Sequence, residues 1–429
     1  MTLLEKQPLP PLGAPVPSTW PAKAVLVFAA LLSIGILNTS TRVERRHTPL
    51  IGTVTWSLQC ERPGQECGQI VVPKDYLNPS SGSATIFISR VRATQTKKGT
   101  VFVNPGGPGV PGTWGASPGL AQYLANEWDI VGFDPRGIHR TIPQVKCFPN
   151  SSYALFKANT VLEQSFTLPF SSKDGSADPT AEIEVALERQ MREFVALKKA
   201  EAAMCAENVG EDLKYMGTTT VVRDLAFMAD VLDGEGSKIN LFTGSYGSII
   251  GAYLVNMLPD RAGRVVIDGI VDPMSWSSEP AHKWPANWLA STEKTYRFFL
   301  EMCAAAGPLG CPIAQHTSDT PVVLEERLEE FFDSLARAPM PVIGLGKARA
   351  GYLTSGAARA LVLMYLEQPT QWSSAAHAIG SAIAGNGTLL HNFLVAPRHS
   401  NSPYHDLARS GVTCADQPAA DSHNLPTSG

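Results

Sequence analysis

The segment that most constrains this chain is KINLFTGSYGSIIGAYLVNML, residues 238–258. An apolar run ends at Phe242, small residues surround Ser245, and a second apolar run with helical character follows. A continuous apolar strand must be covered on both faces, so it calls for a sheet flanked by helices. The tight turn between strand and helix lifts the serine hydroxyl above the sheet, the geometry of a nucleophile elbow. Aligned amides at the start of the following helix favour an oxyanion there. The usual spacing is Gly-x-Ser-x-Gly; here Thr243 stands at the first position, followed by Gly244, and Gly247 keeps the last. Thr is larger than Gly, so a strained turn or a displaced neighbouring strand is expected. The alternative is an ordinary strand–helix turn that contains a serine.

A second element lies upstream. VFVNPGGPGVPG (101–112) places Gly106 and Gly107 directly after a strand-like run. In a serine hydrolase an amide of such a loop joins the amide after the nucleophile, here Tyr246, to hold the oxyanion. Gly107, Gly109 and Gly112 also satisfy the G-x-G-x-x-G spacing of dinucleotide sites. Pro108 and Pro111 argue against that reading, because each removes an amide from a loop whose use would be to donate amides to phosphate.

Strand patterns at 68–73, 84–92, 100–104, 128–134, 238–242 and 264–271 suit a parallel sheet covered on both faces. Between and after them, helical periodicity dominates. Val221, Val222, Leu225, Met228, Ala229 and Leu232 form one stripe; Ile183, Leu187, Met191, Phe194 and Val195 form another; Leu324, Leu328, Phe331, Phe332 and Leu335 form a third. Strand–helix alternation interrupted by helical blocks predicts an α/β sheet carrying a mostly helical cap. At 429 residues, 44% hydrophobic and 17% charged, the chain can bury a large core and is too apolar to be disordered. With 35 Lys+Arg against 39 Asp+Glu it has no electrostatic footprint for nucleic acid.

Ala24 to Leu37 form an uncharged apolar run of 14 residues. A bilayer span needs ~20, so the run fits a signal-peptide core, with a signal anchor or a buried core helix as alternatives. Either targeted reading sends the chain into the secretory pathway, secreted or held by a single membrane anchor. Seven cysteines agree with that compartment. Cys60 with Cys67 and Cys303 with Cys311 could close short loops, Cys147 with Cys205 a longer one, and Cys414 is left over. The absence of any CxxC or nearby His cluster favours disulfides over metal. Asn38, Asn150 and Asn386 sit in glycosylation sequons.

Taken in order, NPGGPG, WDIVGFDPRG, SYGS after a strand, and RVVIDGIVDP resemble the tripeptidyl-aminopeptidase-like α/β-hydrolases, a group similar to the proline iminopeptidases. CGQIVVPKDYLNP (67–79) and VTCAD (412–416) extend the resemblance over about 55–416. It implies an α/β-hydrolase core at 48–140 and 216–274, helical cap insertions at 141–215 and 275–410, a tail at 1–47, and a truncated tail at 411–429. It also implies a serine exopeptidase that removes short peptides from an N-terminus, with esters as alternative substrates and no cofactor or metal. Ser245 would be the nucleophile, with Tyr246 and Gly106 or Gly107 supplying the oxyanion amides.

The resemblance then breaks off. The group's Asp-Pro-x-Thr-Pro-like segment and late Gly-His are absent, and no convincing strand follows residue 271. His282, His316, His377 and His391 fall in the helical region, and His399 and His405 in a polar loop. Asp416 or Asp421 with His423 is the nearest imitation of an acid–base pair. His139 reads as a loop substituent, and Asp268 and Asp272 as turn aspartates. With Cys414 unpaired, the expectation is that the C-terminal strands bearing acid and base are missing, roughly two βα units of ~30 residues each. A hydrolase without its base, or a non-catalytic relic of one, are the two readings that remain.

Overall fold

The computed structural model describes residues 50–149, 152–168, 179–344, 349–395 and 405–418. The apolar segment 24–37 and the sequons at Asn38 and Asn150 lie outside them. Seven strands form one sheet: β1 (Val54–Leu58), β2 (Glu66–Pro73), β3 (Ser83–Val91), β4 (Thr100–Asn104), β5 (Asp129–Phe133), β6 (Ile239–Gly244) and β7 (Ala262–Asp268). Their order is β1-β2-β3-β5-β4-β6-β7. β4 runs parallel to β5 and β6, and β6 to β7, whereas β1, β2 and β3 add antiparallel pairings. The sheet is therefore mixed. Apolar content alone does not fix strand direction, so the antiparallel pairings of β1, β2 and β3 are not read from the runs.

Strand periodicity puts alternate residues on opposite faces. Phe102, Val131 and Phe133 pack in the main core with the helix Thr218–Asp233 and the elbow helix Tyr246–Met257. Val101, Val103 and Ile130 face the other way, onto Ala116 and Ala121 of the short helix region near Pro118–Tyr123. Both faces are covered, as a central parallel strand requires. The stripe on Thr218–Asp233 is buried from Val221 to Ala229. That on Pro321–Arg337 is buried too, within a second core spanning Phe299 to Leu390. A short hairpin, β8 (Met340–Val342) with β9 (Gly351–Leu353), interrupts this second, otherwise helical region.

Two expectations change. Pro179–Asn208 is helical, yet Met191 and Val195 of its apolar stripe face solvent, at 49% and 40% exposure. Residues 411–416 are not a loose tail: the helix His405–Asp416 inserts Leu407, Ala408 and Val412 into the main core. Disulfides join Cys60 to Cys67, Cys147 to Cys205 and Cys303 to Cys311. Cys414 is a free, exposed thiol. Three disulfides fit an extracellular or secretory environment. Among the described residues no helix is long and apolar enough to cross a membrane.

Candidate active site

β4, β5, β6 and β7 share a direction, so the segments following them meet at one end of the sheet, where open α/β sheets bind ligands. Ser245 sits there, between β6 and the elbow helix. Its backbone is at φ 55° and ψ −126°, a conformation that costs a non-glycine residue on the order of 1–3 kcal/mol. Its N–H donates to the Asp268 carbonyl at 2.9 Å, which ties the elbow to the end of β7. The residue is exposed, whereas Tyr246 and Gly247 on either side of the turn's exit are buried. Thr243 does not displace the turn. Its hydroxyl donates to the Gly247 carbonyl at 2.8 Å, and a methyl on Gly247 would come within 2.7 Å of the Thr243 Cβ.

The loop after β4 presses against this turn. A Cβ on Gly106 would lie 2.5 Å from the Gly244 carbonyl oxygen, 2.8 Å from the Ser245 Cβ and 2.9 Å from the Tyr246 nitrogen. Gly106 and Gly107 both have positive φ, 103° and 111°, which glycine alone adopts freely. The Gly106 N–H donates to the Asn104 side chain at 2.9 Å, so its amide is already engaged. The Gly109 and Val110 amides lie close behind Gly107, each 2.9 Å from where its Cβ would stand. The Tyr246 N–H, first in its helix, has no intrahelical acceptor.

Beneath the elbow lies a network that sequence reading missed. The Tyr246 hydroxyl bonds the Thr218 hydroxyl at 2.7 Å. Thr218 in turn donates both its N–H and its hydroxyl to Asp416, whose carboxylate also accepts from the Trp276 indole at 2.9 Å. Burial raises the Asp416 pKa, against the pull of the Thr218 and Trp276 hydrogen bonds. The Asp416 carboxylate thus ties Thr218 and Trp276 together beneath the elbow. Asp421, His423 and His399 lie outside the described residues. The signal was present in VTCAD, but nothing in it names Thr218 as the partner.

Asp272, Asp268 and His377 are engaged elsewhere. Asp272 caps the helix Pro273–Ser278, accepting from the Met274 N–H and the Ser275 hydroxyl at 2.9 Å each. Those bonds, the Met274 amide first, lower its pKa. Among the described residues the Asp268 carboxylate accepts only from the Gly269 amide. His377 bonds the Ser373 carbonyl. His391 is fully buried, its ring nitrogens without a hydrogen-bond partner, and burial, then Arg349, lower its pKa. Among the described residues no histidine hydrogen-bonds the Ser245 hydroxyl. A cleft of about 400 Å³ lined by Glu66, Arg90, Arg92 and Asn126 contains no residue of the elbow or its glycine loop.

His139 is the most constrained histidine near this end of the sheet. Its Nδ1 lies 3.0 Å from Asp134 and its Nε2 3.0 Å from Glu61, so it bridges two carboxylates. Burial pulls its pKa down, but the Asp134 hydrogen bond and the charges of Asp134 and Glu61 outweigh it, and the net shift is upward from 6.5. Both nitrogens can donate only in the imidazolium form. The stabilisation it provides is therefore complete below pH 6.5 and is lost as pH rises through the elevated folded value. Thermal unfolding should show His139→Gln destabilised most at pH 6, with the gap to the parent closing at alkaline pH. A gap that widens with pH would contradict the bridge.

Comparison with known proteins fits this geometry. The sequence profile described as the α/β hydrolase fold matches residues 99–313. Serine protease Hip1 of Mycobacterium tuberculosis is 25% identical over 413 residues, covering 92% of this chain and 73% of that protein. A tripeptidyl aminopeptidase of Streptomyces coelicolor is 31% identical over 216 residues, 48% of this chain and 35% of its own length. Carboxylesterase B of Mycobacterium tuberculosis is 32% identical over 103 residues, 23% of this chain and 20% of its own. The chain belongs to the α/β-hydrolase fold family.

Proposed function

We propose that Ser245 is the nucleophile of a serine hydrolase acting on peptides, in the manner of exopeptidases that release short peptides from substrate N-termini. The observation that carries this reading is the contact of the Gly106 turn with the Ser245–Tyr246 turn. It brings the Gly107 loop and the free Tyr246 amide to one side of an exposed, strained serine. In that arrangement the Ser245 hydroxyl attacks a carbonyl, and the Tyr246 and Gly107 amides receive the negative charge on its oxygen. The tripeptidyl aminopeptidase relative supports a peptide substrate; the carboxylesterase relative keeps esters as the alternative.

The described residues supply nucleophile and oxyanion amides but no histidine bonded to Ser245. Loss of the base from a serine triad costs on the order of a million-fold in turnover. We therefore read the described residues alone as nearly inactive. The same gap favours a second reading, a non-catalytic binding protein that retains the elbow. The disulfides fit secretion, with the 24–37 segment as signal or anchor, and the exposed Asn386 is the sequon open to glycosylation.

A fluorophosphonate probe separates the readings. Slow labelling that disappears in Ser245→Ala supports the hydrolase. No labelling of a folded sample, at any probe concentration, supports the binding protein instead.

A further inference from the structure

The strained turn at Ser245 is held at both of its ends. At one end the Ser245 N–H donates to the Asp268 carbonyl at 2.9 Å. At the other, the Tyr246 side chain, 1% exposed, ends in a hydroxyl that meets the fully buried Thr218. A positive φ at a non-glycine residue persists only where its surroundings over-determine it, and both anchors serve that end. The Tyr246 amide lies between them.

The hydrogen bonds behind Tyr246 have a direction. An ionised carboxylate only accepts. Thr218 sends Asp416 its N–H, at 2.7 Å to Oδ1, and its hydroxyl proton, to Oδ2. A hydroxyl has one proton, so the Thr218 oxygen accepts from the Tyr246 hydroxyl at 2.7 Å. Burial, then the charge of Asp416, keep the Tyr246 phenol protonated, as a donor must be. The chain therefore runs from Tyr246 to Thr218 to Asp416, and each bond polarises the next. The carboxylate is fixed from elsewhere too. The Trp276 indole donates to Oδ2 at 2.9 Å, and the adjacent Gln417 side chain accepts from the Ala281 N–H at 2.8 Å. A Cβ on Gly217 would stand 2.9 Å from Asp416 Oδ1, so the carboxylate comes this close because residue 217 lacks a side chain.

We propose, resting on Ser245 as the nucleophile, that Thr218 and Asp416 are positioning residues: through the Tyr246 hydroxyl they hold the Tyr246 amide where an oxyanion forms. An oxyanion donor is effective only if it is aimed before the charge develops. Thr218 is fully buried and acts through Tyr246, not on substrate.

The test compares, in the full chain, Thr218→Val, which is nearly isosteric and lacks the hydroxyl, with Thr218→Ser, which keeps it. Two quantities are measured: the rate at which a fluorophosphonate labels Ser245, and hydrogen exchange of peptides covering 244–250, with Pro321–Arg337 as the internal reference. Thr218→Val should slow labelling about tenfold and speed exchange at the elbow, with the reference helix unchanged. Tyr246→Phe, which removes only the phenol oxygen, should match it, and Thr218→Ser should stay near the parent on both measures. Exchange needs no chemistry at Ser245. A parent that the probe fails to label therefore counts against the nucleophile, while faster elbow exchange confined to Thr218→Val and Tyr246→Phe still supports the anchor. Parent-like elbow exchange in Thr218→Val overturns the proposal. So does faster exchange without slower labelling in a chain whose parent is labelled. A loss shared by Thr218→Ser or by the reference helix overturns it as well, since it would reduce Thr218 to packing.

Discussion

Replacing Arg136 with methionine is expected to lower the unfolding free energy by about 3–5 kcal/mol, read from urea denaturation. The Arg136 and Asp224 side chains are 1% and 2% exposed and pair at 2.8 Å. Arg136 also donates to the Pro73 and Lys74 carbonyls, and the Tyr76 hydroxyl donates to Asp224 at 2.8 Å. One guanidinium thus ties the end of β2, the turn after β5 and the helix Thr218–Asp233. Without it, Asp224 is left as a buried charge, and burial already holds its pKa above the ordinary carboxylate value. Replacing both partners, as Arg136→Met with Asp224→Leu, should recover much of the loss, because the penalty lies in the unpaired charge rather than in the missing attraction. A single-variant loss below about 1 kcal/mol would place the pair in solvent.

Gly106→Ala should reduce fluorophosphonate labelling of Ser245 by about 100-fold, the scale of losing one oxyanion donor. The added methyl meets the Gly244 carbonyl, the Ser245 Cβ and the Tyr246 nitrogen, all within 3 Å, and two of these are backbone atoms that cannot swing aside. The positive φ at 106 adds strain of its own. Either the loop retreats, taking the Gly107 amide away from Ser245, or the elbow turns. Gly119→Ala is the control: a Cβ there meets nothing within 4 Å, and both labelling and melting should stay at the parent values. Equal labelling of Gly106→Ala and parent would remove the glycine loop from the site.

The local pieces of this fold were legible because they depend on short-range patterns. Six of the sheet strands matched apolar runs, and the stripes on Thr218–Asp233 and Pro321–Arg337 turned inward. β1 was not legible, since VTWSL alternates weakly and is held by pairing with β2. The stripe on Pro179–Asn208 misled for a related reason: its periodicity is helical, but no neighbour covers Met191 and Val195. In the site, SYGS announced the elbow, and the strained turn expected there is present in the positive φ of Ser245.

What the sequence determined by itself was the strand–turn–helix at Ser245, the glycines able to take positive φ beside it, and the hydrolase-type chemistry they imply. Those follow from sterics and hydrophobic period within about a dozen residues. The tertiary structure alone decided that Gly106 abuts Ser245, that its amide is spent on Asn104, and that Asp416 holds Thr218, 198 residues away. Contacts between segments so distant exist only once the core has packed. Which of several aspartates or glycines ends beside the serine is therefore set by how the helices seat on the sheet, not by the residues' own neighbours.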